Sequence, residues 1–514
     1  MKFDANTLPN DPEQLKSMLL ELQYVVQKQN KELAQQKSLY QELLDAYNAK
    51  IAKEYGKKSE KMPGAGEVFN EVEAQLDDIE TLSDTEKALL IANDEPHTEK
   101  AKPKRTPLPE ALPRKEVVVD LHDDAKVCSH CQSALHKMGE AESETLEFVP
   151  AHIKVIKTVR PKYACRACEK EGIQSDIQIA PMPSTPIPKS IATPSLLSQI
   201  ITCKYQFGLP LYRQETWFGD IGITINRKTM SSWMVRCSEL LEPLYDTLKE
   251  QLLQQPAIHA DETPLKVIKA NKATSYMWLY CCGDDKPEGK TNIVLFDYHN
   301  SRAGQCAIDF LDDYSGYMHV DGYKGYEKTS ATLVACLAHI RRKFIEAKGN
   351  NKTTGKADVA LNFIGKLYGI EQSLKEMKDD EKYKARQQQA KPIVEEFYHW
   401  LVEHKEKLSP QRPLSKAITY ALNQYEKFKR YLDDGKLSID NNRAERAIKP
   451  FVIGRKAWLF SHTPRGAKAS AVLYSLVETA KANGLVVHDY ISHCLEQIAE
   501  NPDALESLMP WNFK

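Results

Sequence analysis

Hydrophobic positions near the N-terminus recur with a seven-residue period. Leu, Val and Tyr side chains occupy successive d positions from Leu19 to Tyr47, while Gln29 and Gln36 interrupt the a positions. Heptads form coiled coils, and polar a residues help to set register and oligomer state. The pattern predicts a self-associating coiled-coil helix over residues 13–55. An amphipathic helix that packs on its own chain is the alternative.

The segment that follows has no such periodicity. Residues 56–115 begin with GKKSEKMPGAG, continue through an acidic stretch and end in the basic, Pro-rich KAKPKRTPLPEALPRK. This composition buries too little apolar surface to fold alone, so it predicts a linker.

Two Cys-x-x-Cys pairs, separated by 33 residues, interrupt a strand-like alternation over residues 116–180. Four thiolates in this arrangement suit tetrahedral Zn²⁺, and the alternation between the pairs fits a zinc ribbon with a structural ion. Four thiols without a metal are the alternative. The cysteines are Cys128, Cys131, Cys165 and Cys168.

Helical periodicity returns over residues 195–250. The stretch ETWFGDIGITINRKTMSSWMVR indicates a helix, a tight turn at Gly219 or Gly222, and a second helix. Arg227 and Lys228 would begin that second helix, where a recognition helix contacts DNA. The prediction is a DNA-binding region that resembles a helix-turn-helix, and a packing hairpin is the alternative.

Short apolar strands begin near residue 256. They are AIHADETPLKVI, SYMWLYCC, TNIVLFDY and GYMHVDGY, with a helical SRAGQCAIDFLDDY before the last. Three meandering strands, a crossover helix and a fourth strand fit a ribonuclease H-like α/β core. The predicted parts are the first part of the core (256–330), a long helical insertion (331–437), the last part of the core with a helix from near Asn442 (438–475), and a helical tail (476–514). The fold class is therefore multidomain α+β.

Composition argues against export, a membrane span and disulfides. The N-terminus MKFDANTLPNDPEQL has no apolar signal-peptide region, and no apolar run approaches the roughly 18 residues of a membrane span. Eleven cysteines with two Cys-x-x-Cys pairs favour metal binding in a reducing compartment over disulfides. A cytoplasmic protein without a membrane partner is expected, and Cys281, Cys282, Cys306 and Cys336 lie in apolar contexts that predict burial.

The net charge of −1 hides a strong partition. Residues 64–98 contain ten acidic residues and one basic residue, which leaves the rest of the chain at +8. Residues 441–468 contain seven Lys or Arg and one Glu. Because a polyphosphate responds to local charge, DNA is the expected partner.

Three acidic residues stand in separate polar and basic contexts: Asp261 in HADETPLKV, Asp321 in MHVDGYKGYEK and Glu445 in SIDNNRAERAIKP. Two cations about 4 Å apart need several carboxylate oxygens, and phosphate supplies the rest. Strand-borne Asp261 and Asp321 with a helix-borne Glu445 would hold two Mg²⁺ or Mn²⁺ ions for phosphodiester cleavage. Glu262 competes with Asp261, since strand neighbours face opposite sides.

Basic residues flank these acids. Each is suited to phosphate, with a solvated surface charge as the alternative, and together they would make DNA binding salt-dependent. Trp458 and Phe460 could stack on a base or lie in an apolar core strand. His259 and His339 could move protons or bind phosphate, or be hydrogen-bonded structural residues. The candidate phosphate ligands are Lys324, His339, Arg341, Arg342, Arg443, Arg446, Lys449, Arg455 and Lys456.

Across nearly its whole length the chain resembles bacterial transposases of the family named for insertion sequence 66. The resemblance rests on YGKKSEK, LPEALPR, the Cys-x-x-Cys pairs, YQFGLPLYRQE, HADETPLKV, DGYKGY, CLAHIRRKF, DNNRAERAIKPFVIGRKAWLF, YSLVETAKANGL and MPWNF. One departure is GLVVHDY, where the family pattern usually has a Pro near the Val-His.

The resemblance implies a DDE transposase with a ribonuclease H-like core and an inserted helical region. Its catalytic acids correspond to Asp261, Asp321 and Glu445, which makes Glu262 a supporting acid. The implied reaction is metal-dependent cleavage at terminal inverted repeats, followed by attack of the freed 3′-hydroxyl on target DNA. Implied partners are DNA at the nucleoid, a second copy joined through the coiled coil, and accessory proteins encoded by the same element.

Two other classes remain open. One is a non-catalytic DNA-binding regulator, which the three acids beside basic residues disfavour. The other is a structure-specific nuclease on the same core, which would not explain a dimerising helix and two DNA-reading modules. Matching inverted repeats on both sides of the coding region would favour the transposase.

Overall fold

The computed structural model describes residues 11, 16, 153–163, 178–272, 274–284, 291–349 and 355–513. The predicted coiled coil (except Lys16), the linker and the four Cys-x-x-Cys cysteines lie outside the described residues. Contacts divide the chain into two compact units, of which the smaller is Glu71–Ala180. In its described part, β1 (Lys162–Tyr163) pairs antiparallel with β2 (Gln178–Ile179), while residues 153–161, where alternation predicted a strand, form none.

Three helices open the described part of the larger unit: α1 (Pro194–Tyr205), α2 (Leu211–Asp220) and α3 (Arg227–Leu253). The turn between α2 and α3 is made by Gly222, whose φ of +94° suits glycine. Asn226 caps α3 by accepting a 2.7 Å hydrogen bond from the Lys228 backbone N–H. The predicted helix, turn and helix are therefore present.

A five-stranded mixed sheet forms the centre of this unit. Its spatial order is β5-β4-β3-β6-β7, with β3, β4 and β5 antiparallel and β6 and β7 parallel to β3. Helix α4 (Gly304–Leu311) crosses over between β5 and β6, as predicted. The strands are β3 (Ala257–Leu265), β4 (Ser275–Cys282), β5 (Ile293–His299), β6 (Tyr317–Val320) and β7 (Thr332–Ala335).

Strand β7 corrects the prediction that residues 331–437 are helical from their start. The strand lies parallel beside β6 and is buried from Leu333 to Ala335. A buried parallel strand presents a continuous apolar run, which periodicity does not distinguish from a helix when the run is this short. The helical insertion therefore begins after β7.

The insertion has its own apolar core, built around Phe344, Leu367, Phe397 and Ile418. A π-helical turn, Arg386–Ala390, joins two of its helices and places a buried Arg386 among them. The α-helices are α5 (Leu337–Lys348), α6 (Lys356–Ser373), α7 (Asp379–Ala385), α8 (Lys391–Lys405) and α9 (Pro413–Phe428).

The chain then returns to the sheet through α10 (Asn442–Trp458), α11 (Pro464–Ala482) and α12 (Val487–Glu500). Helix α11 covers the outer edge of β5, where the Ser475 hydroxyl accepts from Phe296 N–H at 2.7 Å and Thr479 accepts from Val294 N–H at 3.0 Å. These hydroxyls satisfy backbone groups of an edge strand. The predicted start of the helical tail at residue 476 lies within α11.

The end of α10 excludes one of the two alternatives for Trp458. Trp458 ends α10 and packs edge-on against Phe451, with ring centroids 5.7 Å apart, so the stretch is not a core strand. Within the described residues no helix is long and apolar enough to cross a membrane. The cysteines expected to be buried are buried free thiols: Cys281, Cys282, Cys306 and Cys336.

Candidate active site

The relative position of two of the three candidate acids follows from the register of parallel strands β3 and β6. Ala257 pairs with Tyr317 and His259 with His319. Two residues further along this register, Asp261 stands level with Asp321, which directly follows β6. Strand pairing therefore brings together two acids that are distant along the chain.

Glu445 approaches from the first turn of α10, a helix that packs against β3 and β4. It is 8% exposed, whereas Asp261 and Asp321 are half-buried. The pKa of Asp261 is raised well above its usual value, first by burial and then by the negative charges of Glu262, Asp321 and Glu445. A bound cation would relieve this repulsion.

The neighbouring acid Glu262 faces a different set of partners. Its side chain is 1% exposed, accepts from Arg302 Nε at 2.8 Å and accepts from the Tyr326 hydroxyl at 2.6 Å. Burial, followed by the charge of Asp321, raises the pKa of Glu262 to about 7. Because both carboxylate oxygens are already bound, the geometry favours Asp261 as the acid available to a metal.

Asn441, which the sequence did not single out, connects the elements that carry the acids. It is 1% exposed, and its Nδ2 donates to the Ala260 carbonyl at 2.9 Å. Its Oδ1 contacts His259 Nδ1 at 2.9 Å, and its carbonyl accepts from Glu445 N–H at 3.2 Å. One residue thus ties the start of α10 directly to β3.

We expect Asn441→Ala to loosen α10 by about 1–3 kcal/mol, because His259 and Ala260 lose a buried partner. Hydrogen exchange of α10 amides should be faster, and the maximal rate of any reaction at the site should fall more than the affinity for its substrate. The matched control is Asn442→Ala, since Asn442 binds Asp440 locally at 2.8 Å. Equal exchange in the two variants would contradict this role.

The two candidate histidines have different surroundings. His259 is buried, and its ring stacks on that of His319 at 4.4 Å, which matches the structural alternative. His339, in the first turn of α5, places Nδ1 3.7 Å from Glu445 Oε1. Ligand atoms of Cys336, His339 and Glu445 all lie within 4.8 Å of one another. Only His339 therefore stands directly beside a candidate catalytic acid.

The predicted phosphate ligands divide by exposure. Arg455 is held to β3, with Nη1 donating to Thr263 Oγ1 at 3.1 Å and to the Pro264 carbonyl. Arg443 points toward the end of β4, with Nη2 3.5 Å from the Cys282 carbonyl. Arg342, Arg443, Lys449 and Arg455 are half-buried, while the exposed members are Arg227, Lys228, Lys324, Arg341, Arg446 and Lys456. Contact of either group with DNA stays a prediction.

Four family models match the chain. The model described as "Transposase IS66 family" covers residues 189–469 and includes all three candidate acids. The "zinc-finger binding domain of transposase IS66" covers 125–169, which contains the four Cys-x-x-Cys cysteines and supports a structural zinc. The "IS66 C-terminal element" covers 475–511, and "Transposase C of IS166 homeodomain" covers 42–117.

Similar proteins occur in Sinorhizobium fredii. Uncharacterized protein y4jD is 34% identical over 79% of this chain and 81% of its own length. Uncharacterized protein y4qI is 33% identical over 80% of this chain and 79% of its own length. Uncharacterized protein y4hP is 30% identical, covering 80% and 77% respectively.

Proposed function

The chain belongs to the IS66 family of transposases, and on that basis we propose that it is a DDE-type enzyme. It would bind the terminal inverted repeats of an insertion sequence, cut the DNA there and join the freed 3′ end to target DNA. The observation that carries this proposal is the strand register that sets Asp261 level with Asp321, together with the negative charge of Glu445 that reaches Asp261 from the first turn of α10.

The sheet topology supports a ribonuclease H-like core. Three antiparallel strands, a crossover helix and two strands parallel to the first give the order β5-β4-β3-β6-β7. Parallel strands place their carboxyl ends at one edge, which is where open α/β sheets bind ligands. Asp321 directly follows β6 at that edge, and Asp261 lies level with it in the middle of β3.

The donor set fits Mg²⁺ or Mn²⁺. Asp261, Asp321 and Glu445 offer only carboxylate oxygens, which hard divalent cations prefer, and the repulsion at Asp261 indicates a site suited to positive charge. When bound, such ions would lower the pKa of the attacking hydroxyl and stabilise the leaving oxygen. The Asn441 carbonyl anchors the Glu445 backbone, and the exposed Arg302 binds the buried Glu262 carboxylate on the strand beside Asp261.

The remaining parts of the chain would arrange the DNA. Exposed Arg227 and Lys228 begin α3, as a DNA-reading helix requires, and Lys324 and Arg446 lie on the two segments that follow Asp321 and Glu445. The zinc ribbon is a second DNA-reading module. Pairing of two element ends requires two copies of the chain, which the N-terminal heptad would join, with accessory proteins of the same element acting beside them.

The test uses the full-length chain, the accessory proteins of its element, Mg²⁺ or Mn²⁺, and labelled DNA carrying the flanking inverted repeats. We expect cleavage at the repeat end and a joined product, both lost on chelation of the metal. Repeat-specific binding without cleavage would indicate a regulator. Cleavage of branched DNA irrespective of the repeat would indicate a structure-specific nuclease.

A further inference from the structure

We propose that Cys336, His339 and Glu445 form a second metal site, which takes Zn²⁺ and withdraws Glu445 from catalysis while it is filled. The binding half of this proposal stands on the geometry alone. The inhibitory half rests on the proposed function, because it requires Glu445 to be a ligand of the catalytic cations.

The three ligands come from two helix starts that meet beside β3. Cys336 directly precedes α5, and His339 follows three residues later, so both lie on one face of its first turn. Glu445 enters from the first turn of α10, with Oε1 3.7 Å from His339 Nδ1. All three ligand atoms lie within 4.8 Å of one another. A tetrahedral zinc holds ligand atoms roughly 3.5 Å apart, so small side-chain rotations would close the site.

The surroundings of Cys336 favour a metal-bound sulfur. The Asn441 backbone N–H donates to its Sγ at 3.1 Å, and the thiol sits at the positive N-terminal end of α5. Burial opposes ionisation and raises the pKa of this thiol. Coordination to zinc overcomes that opposition, since a coordinating thiol is deprotonated outright and releases its proton to solvent.

The ligand chemistry separates this site from the carboxylate cluster. A thiolate, an imidazole and one carboxylate suit Zn²⁺ and match Mg²⁺ poorly, because Mg²⁺ prefers oxygen ligands. The His339 side chain is 22% exposed, which gives an ion a route to a sulfur that is otherwise buried. Zn²⁺ and Mg²⁺ would therefore share one ligand, Glu445, and compete for its carboxylate.

The binding arm measures Zn²⁺ and Cd²⁺ bound per full-length chain at equilibrium, after the zinc ribbon has been loaded. Wild type should bind one more metal ion tightly than Cys336→Ser or His339→Ala. In each variant the affinity for this additional ion should be at least about tenfold lower. Cys203→Ser is the matched control, because Cys203 is a buried thiol on α1 that contacts Gln199. The four ribbon cysteines are present in every variant, so the difference isolates the new site. Equal binding in all four proteins would overturn the proposal.

The inhibition arm measures DNA cleavage in excess Mg²⁺ as Zn²⁺ is added, normalised to the rate of each variant in Mg²⁺ alone. Wild type and Cys203→Ser should be inhibited at the concentration that fills the extra equivalent. Cys336→Ser should need at least about ten times more Zn²⁺. Zinc binding without inhibition of an active enzyme would refute the inhibitory half. An enzyme inactive in Mg²⁺ would count against the proposed function instead, while the binding arm would still decide the site.

Discussion

Asp261→Asn should abolish DNA cleavage and strand joining while leaving DNA binding intact. The substitution keeps the shape of the side chain and removes the Asp261 carboxylate, which is near the charges of Asp321 and Glu445. Loss of a charged metal ligand removes about 4 kcal/mol or more of transition-state stabilisation, so the rate should fall at least about 10³-fold. Cleavage of labelled repeat DNA and equilibrium binding to the same DNA measure the two effects.

The adjacent residue supplies the control for that prediction. Glu262→Gln is the same change of carboxylate to amide, one position along β3, on a side chain that binds Arg302 and Tyr326. It should weaken the packing of β3 against Arg302 yet retain metal-dependent cleavage. If Glu262→Gln were inactive while Asp261→Asn cut DNA, the assignment of the first acid would be reversed.

Arg386→Ala should destabilise the helical insertion by about 3–5 kcal/mol, because it breaks a buried ion pair. The Arg386 guanidinium uses all five N–H donors: two bind Glu371 at 2.9 and 2.7 Å, and three bind backbone carbonyls. Its Ala variant would leave the largely buried Glu371 carboxylate and those carbonyls without their partner. The three carbonyls belong to Tyr431, Asp434 and Leu437.

Hydrogen exchange of α6, α8 and α9 measures this loss locally, where global unfolding of a multidomain chain would not. Protection of these amides should fall by about 10²–10³-fold in Arg386→Ala. Arg430→Ala is the matched control, since Arg430 donates to the Leu333 carbonyl at 2.8 Å and is half-exposed. Similar protection in the two variants would contradict a special role for Arg386.

Periodicity and local chemistry were sufficient to predict the elements that carry the acids. Apolar, β-branched runs predicted β3 to β6, and Gly219 and Gly222 marked the turn before α3. Period alone did not reveal β7, because a four-residue strand with three buried residues fits a helix equally well. Long-range side-chain bonds also left no local signal, so the cover of β5 by Ser475 and Thr479 became visible only in the folded chain.

In the candidate site, too, local sequence predicted some features, while others depend on long-range contacts. Strand alternation established that Asp261 and Glu262 face opposite ways, but not which one meets the other acids. The family resemblance assigned Asp261, and the contact of Arg302 with Glu262, which spans 40 positions in sequence, supports that assignment. Asn441 could not be identified in advance, because its bond to Ala260 crosses 181 positions and its residue type is common at helix starts.

Anomalous diffraction from crystals of the full-length chain soaked in Mn²⁺ tests the central claim most directly, since it locates the cations without relying on activity. The account predicts Mn²⁺ coordinated by Asp261 and Asp321, with Glu445 completing the site, and no bound Mn²⁺ there in Asp261→Asn. Mn²⁺ coordinated by Glu262, or carboxylates at Asp261 and Asp321 that stay without Mn²⁺ at saturating concentration, would contradict it.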